Sequence, residues 1–182
     1  MRVIRPWQLF QNLGNNRDIV YRIPREPGVV SGTVSSLDSL CLIAAIRIAK
    51  PKTLLEFGAG LGYNAYHLCC NTGIRITTVD KDERPAAFLP EFASRVERVT
   101  SDVMDFRPDR QYDMTFCDVN IPGVTEHCTE IALSVNPMVM SWHDYGHPMV
   151  PHVKEYLDSL DLPLVHVEDS QMVFWFKDPP CF

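Results

Sequence analysis

Seven runs, each about the length of a strand, recur along the chain at residues 53–57, 74–79, 95–100, 112–117, 138–142, 164–167 and 172–176. Polar or breaking residues bound them, and they predict strands; 95–100, with Arg95, Glu97 and Arg98 inside it, has the weaker strand pattern, while the others are apolar and rich in β-branched or aromatic residues. Helical spacing fills the intervals. Leu37, Leu40, Cys41, Ala44, Ala45 and Ile48 fall on one face of a helix over 35–50. Ser35 or Ser36 caps that helix, and Lys50-Pro51 ends it. Asn64 to Cys70 predicts another helix, and residues 121–135 contain a third. Val150, Val153, Leu157 and Leu160 form a further stripe, with Pro148 or Pro151 in its first turn. Strands alternating with helices predict an α/β fold. The last two runs are separated only by Glu168-Asp169-Ser170-Gln171, as in a hairpin. Residues 1–34 carry Pro6, Pro24, Pro27, Gly28 and Gly32, and predict an irregular segment. No repeat, linker or low-complexity tract interrupts the rest, so one domain over 1–182 is expected, with its core at 53–177.

The first strand runs into Glu56-Phe57-Gly58-Ala59-Gly60-Leu61-Gly62-Tyr63-Asn64. Strand, glycine turn and helix bring a backbone close to a nucleotide-like ligand. Gly58 and Gly60 remove the Cβ atoms that would obstruct it. The spacing is not the G-x-G-x-x-G of dinucleotide sites. Glu56 ahead of the turn also suits a ligand with a cationic end better than a pyrophosphate. The later strands end in or just before carboxylates: Asp80, Asp102, Asp118 and the pair His143-Asp144. Asp80 stands twenty residues after Gly60, near where an acid receives ribose hydroxyls. Such a series predicts an acid-lined carboxyl edge, the ligand edge of open α/β sheets.

Glu56-x-Gly58-x-Gly60-x-Gly62 resembles the first motif of class I S-adenosylmethionine-dependent methyltransferases. The resemblance covers residues 53 to 177. It implies a Rossmann-like, doubly wound, mostly parallel seven-stranded sheet with an antiparallel C-terminal hairpin strand. It also implies S-adenosylmethionine as cofactor, held by the turn of Gly58, Ala59, Gly60 and Gly62. Glu56 would face its methionine end, Asp80 its ribose and Asp102 its adenine, with Asp118 beside it. Residues 112–118, ending in Asp118, resemble the fourth strand of small-molecule O-methyltransferases. Trp142-His143-Asp144-Tyr145 resembles the fifth-strand end of the catechol O-methyltransferase-like branch. In metal-dependent members, one acid comes from strand four and an adjacent pair of ligands from strand five. Asp118, His143 and Asp144 are the matching positions. His143 departs from the pattern, because an imidazole stands where an oxygen ligand is expected. It shifts the preference from Mg²⁺ toward Mn²⁺, Fe²⁺ or Zn²⁺, or toward no metal. Residues 119–123 lack a histidine that relatives carry there. The nearest is His127, expected on the following helix.

The sulfonium already activates the methyl group, so the protein must align a nucleophile and exclude water. A hydroxyl acceptor must also lose its proton, to a metal-assisted path or to a base such as His143. Asp118, His143 and Asp144 are therefore the catalytic candidates. His147 and His152 are expected to face solvent. Trp7, Tyr63, Trp142 and Tyr145 are candidate aromatic walls for a planar acceptor.

Charge narrows the partners. The net charge is −6 and no basic run occurs, which argues against a nucleic-acid footprint. The longest apolar stretch, residues 41–46, is too short for a membrane span, and the start lacks the features of a signal peptide. The six cysteines include no C-x-x-C pair, and a reducing cytoplasm is expected. A small-molecule hydroxyl acceptor is the leading reading. The alternative is a binding module that keeps the methyltransferase fold but has lost catalysis, and the departure in residues 119–123 is its motive. The sequence carries no sign of the oligomeric state.

Overall fold

The computed structural model describes residues 1–11, 19, 34–82 and 92–181. In chain order the elements are β1 (Arg2–Ile4), α1 (Pro6–Phe10), α2 (Ser36–Ala49), β2 (Thr53–Phe57), α3 (Tyr63–Asn71), β3 (Arg75–Asp80), β4 (Val96–Thr100), β5 (Met114–Cys117), α4 (Val124–Ser134), β6 (Val139–Trp142), α5 (Pro151–Ser159), β7 (Val165–Val167) and β8 (Val173–Phe176). The strands form one sheet in the order β1-β7-β8-β6-β5-β2-β3-β4. Every pairing is parallel except those of β8, which runs antiparallel to both β6 and β7.

All seven predicted strands are present, and so is the hairpin strand. The sheet nevertheless has eight strands, because β1 pairs with β7 at one edge. The N-terminal segment is thus not irregular throughout: it holds β1 and α1, while Pro24, Pro27, Gly28 and Gly32 lie outside the described residues. Three residues are too few to show a period of two. What holds β1 is pairing with the far end of the chain, through Arg2 N–H to the Leu164 carbonyl and Glu168 N–H to the Ile4 carbonyl, both 2.8 Å.

Alternation along the strands sends neighbouring side chains into two different cores. Leu54, Phe116 and Val139 pack with α2 and α3 residues such as Leu42, Ala45 and Leu68. Leu55, Cys117 and Met140 pack with Cys128, Ile131, Val153 and Leu157 of α4 and α5. Both faces of the central strands are therefore covered by helix, which is why those strands read as continuous apolar runs. Helix α2 is buried beyond one stripe, with Cys41 through Ala45 wholly inaccessible. Its ends follow the sequence. Ser35 Oγ accepts the Asp38 N–H at 3.2 Å, and Lys50 closes the helix at φ 55°. Among the described residues no helix is long and apolar enough to cross a membrane. All six cysteines are free.

Candidate active site

The carboxyl ends of the central strands stay in register for one more residue. Gly58 N–H donates to the Val79 carbonyl (2.9 Å), Asp118 N–H to Phe57 (2.9 Å), and His143 N–H to Cys117 (3.0 Å). This extension sets Gly58, Asp80, Asp118 and His143 side by side along one edge. Strand β2 lies between β3 and β5, so the chain order reverses there, and a crevice opens at such a switch point.

Two glycines shape the crevice in opposite ways. A Cβ on Gly58, whose φ is +90°, would collide with the Asp118 carbonyl. That glycine lets two strand ends approach. A Cβ on Gly60, whose φ is +48°, would meet no protein atom within 4 Å and would point into open space. The Gly60 N–H donates to Asp80 Oδ2 at 2.8 Å, and the Asp82 N–H donates to Asp80 Oδ1 at 2.8 Å.

Asp118, His143 and Asp144 come together as expected, and Asp38 of α2 joins them. His143 Nδ1 lies 3.0 Å from Asp118 Oδ1 and 3.3 Å from Asp144 Oδ1, and Nε2 lies 3.3 Å from Asp38 Oδ2. The His143 side chain is 10% exposed. Its Nδ1 is within ion-pair reach of two carboxylates yet has no well-directed hydrogen bond to either. Burial works against charge on the ring, but Asp118, Asp144 and Asp38 outweigh it and push the pKa up to about 12. Burial raises Asp118 despite the pull of His143. In Asp38 and Asp144 burial is overcome by hydrogen bonds and by His143, and both carboxyls are lowered. Asp144 adopts the left-handed conformation at φ 63°, and Asn120 Nδ2 donates to its Oδ2 at 2.9 Å. A non-glycine residue there is strained, and here the strain aims a carboxylate at His143.

These groups line a cavity of about 640 Å³ together with Gly58, Gly60 and Asp80. Ser35, His147, Asp169 and Gln171 form its far wall. Five aspartates and two histidines line it, and among the described residues no lysine or arginine does. A second cavity, of about 380 Å³, shares Gly58, Asp80, Asp118 and Asn120 with the first, so the two meet at the glycine turn. Its walls are mostly apolar, including Val79, Val103, Met104, Ile121 and Val124, with Asp102 at its side.

The other predicted residues take different places. Glu56 lines neither cavity. It is 1% exposed, and Asn64 Nδ2 of α3 donates to its Oε1 at 2.7 Å. Burial pushes its pKa up to about 7, against that bond. Glu56 therefore ties β2 to α3 through Asn64, while its Oε2 has no hydrogen-bond partner among the described residues. Ala59 and Gly62 line neither of these cavities; within the turn the Gly62 N–H closes onto the Ala59 carbonyl at 2.8 Å. None of the four candidate aromatics lines either of these cavities. Trp142 is core, with Nε1 donating to Thr129 Oγ1 at 2.9 Å, Tyr63 is buried, Trp7 is 61% exposed and Tyr145 packs on His166. His147 faces the first cavity rather than open solvent. His127 is on α4, as expected. Sequence reasoning missed Asp38, Asn120 and Gln171. Asp38 reads as the acid of a Ser-x-x-Asp helix start, and only its burial at 2% exposure betrays a second task.

No protein-family model matches the sequence, and no curated protein matches it. Solved structures do. An O-methyltransferase from Bacillus cereus, solved with S-adenosylhomocysteine, superposes with a TM-score of 0.64 at 18% identity, covering 94% of this chain and 90% of that one. The fold is O-methyltransferase-like. A Staphylococcus aureus protein provisionally assigned as a caffeoyl-CoA O-methyltransferase gives 0.66 at 16% identity, over 79% of this chain and 85% of its own. The O-methyltransferase TomG of Streptomyces achromogenes, solved with S-adenosylmethionine, gives 0.60 at 19%, over 81% and 82%. In this chain the glycine turn between β2 and α3 and Asp80 at the end of β3 stand at the carboxyl edge, where open α/β sheets bind ligands.

Asp80→Ala tests that placement directly. The substitution is expected to weaken S-adenosylhomocysteine binding by about 1–3 kcal/mol, because charge-assisted bonds to the ligand are lost. Calorimetric titration of both proteins measures it, and equal affinities would remove Asp80 from the ligand site.

Proposed function

We propose that the chain is an S-adenosylmethionine-dependent methyltransferase acting on a hydroxyl of a small molecule. The observation that carries this reading is the pair of joined cavities at the switch point, one acidic and one apolar. S-adenosylmethionine is divided the same way. Its sulfonium and amino group suit the aspartate-lined cavity, and its adenine suits the walls of Met104, Ile121 and Val124. Met104 is 44% exposed and Ile121 47%, apolar surface that a flat ring would cover. A dinucleotide fits worse, since the first cavity sets five aspartates against a pyrophosphate and the two joined cavities offer one lysine, Lys81, among the described residues. Asp80 is the ribose partner in this reading and Asp102 lies on the adenine side. Asp118 stands where the cavities meet, beside the methyl group. The cytoplasm and a small-molecule partner follow from the same reading.

Asp118, His143 and Asp144 would hold a divalent ion. Their ligand atoms lie within 4.8 Å of one another. His143 Nδ1 stands 3.0 and 3.3 Å from the Asp118 and Asp144 carboxylates, so the three donor groups already converge on one point. The unsatisfied Nδ1 is the atom such an ion would engage. One nitrogen and two carboxylates favour Mn²⁺, Fe²⁺ or Zn²⁺ over Mg²⁺. When bound, the ion lowers the pKa of an acceptor hydroxyl and orients it. Without an ion, His143 is a poor general base. Both nitrogens already face carboxylates, and the ring holds its proton up to about pH 12. Asp144 keeps its orientation through Asn120, and Asp118 through its place at the end of β5.

Two measurements test the reading. S-adenosylhomocysteine should bind more tightly than NADH in calorimetry, and the reverse order would defeat the cofactor assignment. On any hydroxyl substrate that is accepted, chelator should abolish turnover while S-adenosylhomocysteine affinity stays nearly constant. Full turnover in chelator would remove the ion from the mechanism.

A further inference from the structure

From the geometry around α2 we infer that Asp38 is a positioning residue: it accepts the Nε2 proton of His143 and so presents Nδ1 to the cleft between Asp118 and Asp144. The inference rests on the site proposed above, but it concerns how the ring is held.

Every contact of Asp38 supports that task. It is the third residue of α2, and its carboxylate turns inward at 2% exposure. Oδ1 accepts the Gln171 backbone N–H at 2.9 Å, which fixes the plane of the group against the β7–β8 turn. Oδ2 accepts the Ser35 hydroxyl at 2.5 Å and lies 3.3 Å from His143 Nε2. With both oxygens engaged, Asp38 has only acceptors to offer the ring. The ring must then carry its proton on Nε2, and the lone pair of the neutral form falls on Nδ1. Carboxylate–histidine pairs of this kind orient metal-binding imidazoles and raise their basicity. A structural role alone, capping α2, would need only the Ser35 hydroxyl on the Asp38 N–H, which is already present. It would not need a buried carboxylate facing His143.

Asp38→Asn discriminates. The Gln171 N–H requires an oxygen opposite it, so the asparagine carbonyl must take that side. The new NH₂ then faces Nε2, a donor against a donor. The ring is driven to hold its proton on Nδ1, toward Asp118 and Asp144. Zn²⁺ affinity, measured by calorimetric titration of the metal alone, should fall about 10- to 100-fold. Circular dichroism and thermal melting check that the variant folds. The second readout needs no metal. In metal-free wild type, ¹⁵N-resolved spectra should show a protected proton on His143 Nε2, and Asp38→Asn should lose that protection.

A protected Nε2 proton that disappears in the variant, with weaker Zn²⁺ binding, supports the inference. Wild type without a protected Nε2 proton overturns it, whether or not the variant folds. Unchanged protection or unchanged Zn²⁺ affinity in a folded variant overturns it too. If wild type binds no Zn²⁺ but the Nε2 proton behaves as stated, the ion is lost from the proposed mechanism and Asp38 keeps its role.

Discussion

Gly60→Val is expected to lower S-adenosylhomocysteine affinity at least 100-fold, about 2.7 kcal/mol, while the protein still folds. A side chain at this position meets no protein atom within 4 Å and extends into the cavity. The fold loses only the cost of a β-branched residue at positive φ, about 1–2 kcal/mol. That is small against the roughly 5–15 kcal/mol typical of a folded domain. Gly58→Ala should do the reverse of this partition. Its methyl group strikes the Asp118 carbonyl, so stability itself should fall by about 2–5 kcal/mol. Thermal melting and ligand titration of the two variants separate the effects. Wild-type affinity in Gly60→Val would show that the ligand lies elsewhere.

His143→Gln should destabilise the fold by about 3–5 kcal/mol near neutral pH. It leaves Asp38, Asp118 and Asp144 facing one another with no cation between them. The pH dependence identifies the cause. His143 has a folded pKa of about 12, above its unfolded value of about 6.5. Its contribution is therefore fully present below about pH 6.5 and is lost as pH rises toward 12. Asp38 and Asp144 are lowered, so their contribution is present above their unfolded pKa and is lost in acid as pH falls through their folded values. Asp118 is raised and opposes them, because its ionised form is costly in the buried site. The gap between wild type and variant should be widest from about pH 4 to 6.5, and should narrow toward pH 10. Urea unfolding at pH 5, 7 and 10 measures it. A gap of constant size would mean that lost packing, not charge, explains the change.

The strands show which features are legible one residue at a time. The central strands β2, β3, β5 and β6 announced themselves because their apolar runs are dictated by burial on both faces, whereas β4, at the sheet edge and half-exposed, showed only as a more polar β-branched stretch. The glycine turn announced itself because few residues tolerate its geometry. Asp80, Asp102, Asp118, His143 and Asp144 were visible as the polar ends of those runs. Strand β1 was not, since three residues carry no period and only the edge of β7 makes them a strand. Glu56 was visible as part of the motif, but its partner was not. Its spacing fixes which face of β2 it occupies, yet only the packing of α3 shows that Asn64 meets it there.

The sequence by itself determined the order of strands and helices, the glycine turn, and the acids at one edge of the sheet. Those features depend on local periodicity and on backbone limits that act within a few residues. The tertiary structure alone decided what the acids do. Asp38, Asp118 and Asp144 lie on three different elements, and folding brings them around one imidazole. The same convergence turns His143, a reasonable base at its ordinary pKa, into a ring that keeps its proton at neutral pH. Charge interactions depend on distance through space and on exclusion of water, and neither is written in the spacing along the chain.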